Sequence, residues 1–404
     1  MHSNPIRNRY FNGGTVCWSR QLMSTIKLFC LGLVCCLFGG CESLGFYRQA
    51  ALGQLDLLQR SKPIRTVLAD PATSPQLRTR LQRIQLMLQF AEDELQLRVA
   101  DRYQRYVTLG RDYVVWNVFA APPLDMRSEQ WCYPLVGCAP YRGYFNEADA
   151  RALAAHYQEN GFDTYVGGVS AYSTLGWFDD PLLSSFVFYR EPALANLLFH
   201  ELAHSEVWLK GDVAFNESFA SFVGLQGARA WLAESPEGSR QERYARWRLG
   251  QAEWARFKTF ALAAKADLAN LYQQQSGTVG ERLRQRDELR DHWQGCYSAN
   301  LSLLGNGRFD ALMGDQLNNA LLLSLSTYED WVGAFAQMFA EVSGDWSDFY
   351  AQVAALATLP APRRLEQMQA LRQRGLLQEQ SAQRTDHQNS EQVQCQPFAD
   401  HILN

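Results

Sequence analysis

Two histidines four residues apart, at the end of an apolar segment, constrain this chain more than any other feature. They bound the pentapeptide HELAH, residues 200–204, which directly follows the helix-forming segment 192–199. Residues four apart lie on one face of an α-helix, so both imidazoles can bind one ion from adjacent turns. Imidazole and carboxylate groups on a largely buried helix would be costly without partners. The pattern therefore favours a metal site over two stray surface histidines.

A carboxylate from the next helix would complete this site. The first helix is expected to end by residues 210–212, and a second to open with Asn216 and Glu217. Two neutral imidazoles and one carboxylate can hold one catalytic Zn²⁺ per chain, with a fourth position left for water. The metal lowers the pKa of that water towards roughly 7, and Glu201 is placed to take its proton. Two other carboxylates are alternatives for the third ligand: Glu206 and Asp212.

These two segments carry a resemblance to known enzymes. HELAH at 200–204 and NESFASFV at 216–223 resemble the gluzincin metallopeptidases, in which a Glu on a following helix is the third ligand. The second segment is similar to the Asn-Glu-Gly-Phe-Ala sequence of alanyl-aminopeptidase-like enzymes. Ser218 stands where those enzymes have Gly, and the separator between the segments is shorter than theirs. The resemblance implies that Glu217 is the third zinc ligand.

More widely, the chain resembles a family of bacterial lipoproteins described as putative aminopeptidases. The resemblance covers most of residues 41–360 and rests, besides the histidine motif, on five segments: 51–58, 136–145, 168–181, 318–320 and 327–328. It implies a zinc-dependent peptidase attached to a membrane.

The first forty residues are expected to be an export signal. Arg20 and Lys27 precede the apolar run 28–38, which ends in Gly-Gly before Cys41. A basic region, a short apolar region and small residues before the cut are typical of such signals. The Cys after Gly-Gly resembles a lipobox, which implies acylation of Cys41 and a membrane-tethered mature protein.

Alternatives to this leader stay open. A plain secretory signal could be cut elsewhere, and translation could start at Met23. The apolar run is short of the ~20 residues that a membrane span needs. Glu42 after the Cys favours the outer membrane over the inner one, so we expect a lipoprotein that faces the bacterial periplasm.

Export places the later cysteines in an oxidising compartment. Cys132 and Cys138 flank a short segment, and a local disulfide between them is the preferred interpretation over a soft metal site. Cys296 and Cys395 could pair or stay free, and the sequence does not decide between these outcomes.

Residues that could bind the substrate precede the histidine motif. In enzymes of this kind a strand upstream of the metal helix pairs with the substrate backbone, and we expect residues 168–178 to do so. The candidates for substrate binding are Tyr172, Gly176, Trp177 and Asp179. The alternative is a structural loop packed on the helix. An aminopeptidase also needs a carboxylate for the free amine of its substrate, and three could supply it: Asp179, Asp180 and Glu191.

A tyrosine could stabilise the oxyanion that forms during hydrolysis. Tyr328 is the candidate, with Tyr172 as its rival and a buried core tyrosine as the structural alternative.

The chain can bury a large core, since 47 % of its 404 residues are hydrophobic. A net charge of -4 and the lack of a basic run after the leader argue against nucleic acid as the main partner. Periodicity predicts a helix over 46–59, a long amphipathic helix over 77–109, a strand over 113–119, and a helix over 147–158. An apolar stripe on 244–268 and a return helix over 281–293 predict a helical hairpin whose aromatic residues pack its core.

We therefore expect a mainly α fold with a small β-sheet, that is, an α+β fold. It would comprise a zincin-like metallopeptidase core, a helical N-terminal layer and a helical hairpin. The expected parts are a signal peptide (1–40), the helical layer (41–123), the core (124–235), the hairpin (236–296), a C-terminal helical part (297–376) and a polar, poorly ordered tail (377–404).

The function expected from these features is zinc-dependent hydrolysis of peptide bonds in peptides or proteins, with aminopeptidase action preferred. The alternatives are an endopeptidase of envelope protein turnover and a non-catalytic zinc-binding lipoprotein. A closed structural zinc site has four protein ligands and would not need Glu201, which weighs against the last of these.

Overall fold

The structure is a computed structural model of the chain. It describes residues 41–133, 137–171, 180–234, 240–274, 276–314, 316–327, 331–385 and 395. The predicted leader and two groups of candidate site residues, 172–179 and Tyr328, lie outside these ranges.

Helices dominate the described residues. In chain order they are α1 (Cys41–Arg60), α2 (Ile64–Ala69), α3 (Pro75–Asp93), α4 (Glu147–Glu159), α5 (Glu191–Ala203), α6 (Val213–Glu234), α7 (Arg240–Gln273), α8 (Val279–Ala299), α9 (Asp310–Met313), α10 (Asn319–Thr327), α11 (Val332–Glu341), α12 (Trp346–Ala357) and α13 (Ala361–Thr385). Several begin at the residue types that cap helices. Ser74 accepts a hydrogen bond from the Leu77 amide, Asn146 accepts one from the Ala148 amide, and Thr278 forms a reciprocal capping box with Glu281.

The strands are short. They are β1 (Lys62–Pro63), β2 (Arg105–Val107), β3 (Val115–Ala121), β4 (Trp131–Tyr133), β5 (Gly137–Ala139), β6 (Arg142–Tyr144), β7 (Asp163–Val169) and β8 (Leu182–Leu183). The principal sheet has the order β6-β3-β7 with both pairs antiparallel, so β7 forms one of its edges. A second sheet has the order β1-β2-β8, and β4 pairs with β5 in a hairpin.

The chain divides into two units, residues 1–53 and 54–404. The described part of the first unit is the beginning of α1. The second unit contains every other element. Within the described residues, no helix combines the length and the apolar character needed to cross a membrane.

The main core of the second unit surrounds α5 and α6. It takes apolar side chains from α2, α3, β2 and β8 on one side and from α11, α12 and α13 on the other. Leu198, Phe199, Phe215 and Phe219 are at most 1 % exposed in this core. The helices that carry the histidine motif and Glu217 are therefore held by apolar packing on most sides.

A second core lies inside the pair α7 and α8. The predicted stripe contributes Phe257, Ala261, Ala264 and Leu268, all at most 1 % exposed, and Phe257 stacks on Phe309 at a centroid distance of 4.0 Å. The pair is joined to the principal sheet by polar contacts. Arg290 of α8 forms an ion pair with Asp163 of β7, and the same carboxylate accepts a hydrogen bond from the Asn319 amide of α10.

The helix predicted over 77–109 is wrong beyond residue 93. The chain leaves α3 after Asp93, and Gln96, Ala100 and Tyr103 have positive φ angles. Leu95, Leu97 and Val99 are buried while the residues between them are exposed. The apolar side chains of this segment therefore enter the core from an irregular turn that follows α3, and not from one face of a continuing helix.

Three other predicted boundaries differ from the structure. The strand predicted over 113–119 is β3 at 115–121, two residues later. The helix predicted to open at Asn216 begins at Val213, because Asp212 caps it by accepting a hydrogen bond from the Phe215 amide at 3.1 Å. At the C-terminus α13 continues through Thr385, past residue 377 where the polar tail was expected.

The part of the chain that the structure describes contains two disulfides. One joins Cys132 to Cys138 across the β4-β5 hairpin, the pairing preferred from the sequence. The other joins Cys296 of α8 to Cys395, which packs against the second core.

Close packing between α5 and α6 depends on two glycines. A Cβ atom at Gly224 would lie 2.6 Å from the carbonyl oxygen of Asn196 and 3.1 Å from Cβ of His200. One at Gly227 would lie 2.8 Å from the Phe199 ring. Any larger residue on this face of α6 would therefore separate the two helices.

We expect Gly224→Ala to lower the free energy of unfolding by about 1–3 kcal/mol, because overpacking a fixed interface forces the backbone to shift. Urea denaturation measures the change. Gly295→Ala is the control, since a Cβ atom there meets nothing within 4 Å on an exposed position of α8. It should leave stability unchanged or raise it by up to about 1 kcal/mol. Equal losses in both variants would contradict the packing argument.

Candidate metal centre

Three side chains from α5 and α6 meet at one point. Nε2 of His200 lies 3.4 Å, and Nε2 of His204 lies 3.8 Å, from the same Oε2 atom of Glu217. Their ligand-type atoms all lie within 4.8 Å of one another, and the group could hold a metal ion. The helix α5 ends at Ala203, but His204 keeps helical angles (φ -57°, ψ -19°) and so stays on the same face as His200.

The electrostatics of the group suit a cation. Burial lowers the pKa of His204 to about 4, so this imidazole is neutral near pH 7. Burial alone would raise the pKa of Glu217, but His204 and the hydrogen bond with His200 outweigh that effect and the net shift is downward. The group is then a neutral imidazole and an anionic carboxylate held beside a second imidazole. A positive ion between them would offset the buried negative charge.

Glu201 lies beside this group with a different protonation behaviour. It is 9 % exposed, and burial raises its pKa to about 7, with further upward contributions from Glu217 and Asp180 against a downward one from His200. A carboxyl group with a pKa near neutrality can both accept and return a proton, which is what a general base needs.

The two alternative ligands have other partners. Glu206 accepts hydrogen bonds from the backbone amide of Arg98 at 2.7 Å and from its guanidinium at 3.0 Å. Asp212 caps α6 and lies 3.4 Å from Arg364. Neither belongs to the group formed by the two histidines and Glu217.

Asn216 fixes the loop between the two helices. The side-chain nitrogen of Asn216 donates to the backbone carbonyl of Leu209 at 2.8 Å, and its side-chain oxygen accepts from the backbone amide of Leu209 at 2.8 Å. Asn216 is 1 % exposed and stands one residue before Glu217. It therefore ties the loop after His204 to the turn of α6 that carries the carboxylate.

Ser218, the residue that departs from the aminopeptidase-like pattern, also has a defined contact. Its hydroxyl is fully buried and accepts a hydrogen bond from the Trp331 amide at 3.1 Å. A glycine could not make this link between α6 and the start of α11.

A cavity of about 440 Å³ opens beside the group. His200 and Glu201 form one wall, Gly167 to Ala171 at the end of β7 form another, and Trp254 of α7 lines it as well. Among the described residues β7 has a paired strand on one side only, β3. Trp254 was expected from the sequence to be a packing residue of the hairpin, and its place in the cavity wall is an addition to that role.

The four predicted substrate-binding residues lie outside the described residues: Tyr172, Gly176, Trp177 and Asp179. The predicted oxyanion residue Tyr328 does so as well. The described end of the 168–178 segment, residues 168–171, does line the cavity.

Glu191 is not available for a substrate amine. Its carboxylate accepts hydrogen bonds from Arg83 at 2.9 Å and from the indole of Trp231 at 2.9 Å, and it lies 3.3 Å from Arg243. It also stands at the start of α5, roughly 13 Å along the helix from His200. The prediction that Glu191 could bind the amine is therefore wrong, because the residue anchors α5 to its neighbours. Asp180, the other candidate among the described residues, is 3 % exposed and influences Glu201 electrostatically.

Two tyrosines near Glu201 were missed by sequence reasoning. Burial raises the pKa of Tyr141, with added contributions from Glu217 and Glu201, so its hydroxyl lies within the field of both carboxylates. Burial, followed by Glu201 and Asp180, raises that of Tyr103. Tyr141 packs on Phe119, a residue of the cavity wall, at a centroid distance of 5.4 Å.

The disulfide-linked hairpin explains how Tyr141 reaches this place. At Gly137 a Cβ atom would lie 2.7 Å from the backbone of Gly211, and both glycines have positive φ angles near 80–90°. The hairpin thus rests on the loop between α5 and α6 and leads directly to Tyr141. Tyr141 lies in the segment 136–145, whose resemblance to the lipoprotein family is the sequence signal that points to this tyrosine.

The side chains of Asn318 and Asn319 form hydrogen bonds that hold neighbouring elements together. Asn318 donates to the Thr164 carbonyl at 2.9 Å, and Asn319 donates to the Pro122 carbonyl at 2.9 Å while accepting from the Tyr272 hydroxyl at 2.8 Å. These bonds join α10 and α7 to the sheet whose edge borders the cavity.

Residues 45–368 match a family described as "Putative aminopeptidase". No curated protein and no solved structure shows significant similarity to the chain. The match covers most of the chain, so the protein belongs to this family, and membership supports a peptidase function at a coarse level.

Replacing Asn216 by Leu removes both hydrogen bonds to Leu209 while keeping a side chain of similar size. We expect the free energy of unfolding to fall by about 1–3 kcal/mol, because the loop's amide and carbonyl lose their partners. Urea denaturation with a chelator present measures this without any contribution from metal. Asn160→Leu is the matched control, since that exposed amide makes one bond, to the His156 carbonyl, and should cost less than about 1 kcal/mol. Similar values for the two variants would contradict the bridging role.

Proposed function

We propose that this protein is a membrane-tethered, zinc-dependent metallopeptidase of the gluzincin type that hydrolyses peptide bonds with water, and that it acts as an aminopeptidase. The observation that carries the proposal is the meeting of His200, His204 and Glu217, with Nε2–Oε2 distances of 3.4 and 3.8 Å, beside Glu201 at the wall of a cavity. Family membership supports the peptidase part.

Zinc suits these donors. Ligands that hold Zn²⁺ tetrahedrally at 2.0–2.1 Å are roughly 3.3 Å apart, close to the separations found here. Two imidazoles and a carboxylate are also a common catalytic set, which leaves one position unfilled by protein. When bound, the ion supplies Lewis-acid chemistry, polarising a carbonyl and making a coordinated water more acidic.

The chain's own residues would perform the remaining steps. Glu201 takes the proton of the attacking water and passes it to the nitrogen that leaves, as its pKa of about 7 allows. The edge of β7 that no described strand pairs, beyond the Thr164 carbonyl held by Asn318, offers backbone groups for pairing with an extended peptide, which would hold the scissile bond over His200 and Glu201. Tyr141, whose pKa responds to both Glu217 and Glu201 and whose ring packs on Phe119 of the cavity wall, is the proposed donor to the oxyanion.

Endopeptidase action is the second candidate, and one observation favours it. Glu201 is the only carboxylate among the described residues that line the cavity, so a binding group for a free amine is not found in that part of the wall. Free and N-acetylated forms of the same peptides distinguish the two activities. We expect cleavage of the free peptides only, and cleavage of both forms would assign an endopeptidase.

Glu201→Gln tests the catalytic assignment. The substitution keeps the size of the side chain but removes the base, so we expect one zinc per chain to remain while kcat falls at least ~10²-fold. Zinc is measured by atomic absorption and cleavage by release of free amines. Glu206→Gln is the control and should change neither by more than about twofold. Unchanged turnover in Glu201→Gln would refute its role, and turnover that survives full removal of zinc by a chelator would refute the metal dependence.

Tyr141→Phe tests the oxyanion donor. Loss of one such donor is expected to lower kcat by roughly 10²–10³-fold with little change in KM or zinc content. Tyr297→Phe, which loses a hydrogen bond to Asp310 in the second core, should leave kcat unchanged. A fall in zinc content that accounts for the whole loss in Tyr141→Phe would mean that this tyrosine supports the ligands instead.

The membrane tether rests on the leader and Cys41. In a bacterial host, Cys41→Ser is expected to abolish labelling by a palmitate analogue and to release the protein from the membrane fraction, because one thiol carries the lipid. Cys36→Ser, within the apolar part of the leader, should be labelled as the wild type is. Membrane retention of an unlabelled Cys41→Ser protein would show that the leader itself is the anchor.

A further inference from the structure

We propose that the cavity beside the metal centre is a side-chain pocket that selects peptides with a large, uncharged and preferably aromatic residue next to the scissile bond. Trp254, from the helical hairpin, would set this preference. The inference rests on the peptidase function proposed above, since it names the substrate class of the same site.

Aromatic rings from three separate elements form the walls of this pocket. They are Phe119 of β3, Tyr165 of β7 and Trp254 of α7. The rings of Phe119 and Tyr165 are 6.2 Å apart and inclined by 37°. Aromatic faces arranged in this way present a broad apolar surface on which another ring can pack with offset or edge contacts. Because His200 and Glu201 line the same cavity, a side chain bound there would belong to a residue beside the reacting carbonyl.

Trp254 is held firmly enough to act as a fixed wall. Its ring packs against Phe257 and Phe309 at centroid distances of 5.7 and 5.6 Å. The hairpin that carries it is tied to the sheet by the Arg290–Asp163 ion pair and by the Tyr272–Asn319 hydrogen bond. A wall that is already ordered loses little conformational entropy when a ligand packs on it, so each contact contributes more to affinity.

The described part of the lining offers no charged side chain apart from those of the metal centre, which disfavours ionised substrate side chains. Besides His200 and Glu201, the described residues that line the cavity are apolar or neutral polar, the polar ones being Asn117, Tyr165, Ser170, Asn196 and Ser324. A lysine or aspartate side chain that entered the cavity would lose its hydration. Away from His200 and Glu201 it would find, among the described lining residues, no side chain of opposite charge to replace that hydration. With a volume of about 440 Å³, the cavity is near the lower end of the roughly 300–1,000 Å³ of small-molecule sites, so it fits one or two residues of a peptide.

The test compares peptides that differ only in the residue beside the scissile bond: Phe, Leu, Ala, Lys or Asp. For the zinc-loaded wild type we expect kcat/KM to be at least ~10-fold higher for Phe than for Ala, with Lys and Asp below Ala. Trp254→Ala should reduce the Phe-to-Ala ratio about tenfold by lowering the Phe value, with zinc content unchanged. Leu249→Ala, an exposed position of the same helix, should keep the wild-type ratio.

A binding assay keeps the pocket separate from the proposed activity. The hydroxamates of phenylalanine, alanine, lysine and aspartate are titrated calorimetrically into the zinc-loaded wild type and Trp254→Ala. We expect the phenylalanine compound to bind at least ~10-fold more tightly than the alanine compound in the wild type only.

The outcomes of the two assays point to different errors. Selective binding without any cleavage would refute the peptidase function and leave the pocket supported. Cleavage with equal rates for all residues, or a uniform loss for every substrate in Trp254→Ala, would overturn the pocket and leave the peptidase. Binding of none of the hydroxamates would overturn the pocket as well.

Discussion

The close contact between α5 and α6 is the interaction on which the rest of the site depends. Gly224 and Gly227 let the two helices approach until the imidazoles of one face the carboxylate of the other. Apolar side chains of the main core surround this contact on most sides. The same burial that stabilises the helices also gives His204 its low pKa and Glu201 its raised pKa. Packing and proton chemistry therefore have one physical origin here.

Around this helix pair, polar contacts hold the surfaces that border the cavity. Asn216 fixes the interhelix loop, and the hairpin closed by the Cys132–Cys138 disulfide rests on the same loop at Gly211. Asp163 and Asn319 join the edge strand β7 to α8 and α10. The contacts of Asp163 with Arg290 and Asn319 join residues 127 and 156 positions apart, so a sequence pattern alone does not reveal them.

What the sequence could and could not predict follows from this division. The histidine spacing and the apolar stripe of α7 are local and periodic, and they predict directly the helix that carries the candidate ligands His200 and His204 and the helical hairpin. The prediction of a helix fails over residues 95–99, because apolar residues at this spacing occur both in amphipathic helices and in irregular segments with one buried face. The places of Trp254 in the cavity wall and of Tyr141 beside Phe119 have no local signal in the sequence, since they depend on packing against Phe309 and Phe119, which lie elsewhere in the chain.

Glu191 is a residue whose role the sequence predicts incorrectly. A carboxylate near the histidine motif in sequence was a reasonable candidate for binding an amine. In the fold it serves as the common partner of Arg83, Arg243 and Trp231, because the start of α5 needs to be anchored to α3, α6 and α7. Glu191 and His200 do share the helix α5, but only the end that carries His200 lines the cavity.

The most direct test of the central claim is X-ray absorption at the zinc edge, with zinc stoichiometry, on purified wild type, Glu217→Ala and Glu206→Ala. The account predicts one zinc per wild-type chain, coordinated by two imidazoles and at least one oxygen at about 2.0–2.1 Å and by no sulfur. It also predicts that Glu217→Ala loses most of its zinc and that Glu206→Ala keeps it. A zinc-free wild type, a sulfur ligand, or loss of zinc in Glu206→Ala alone would contradict the account.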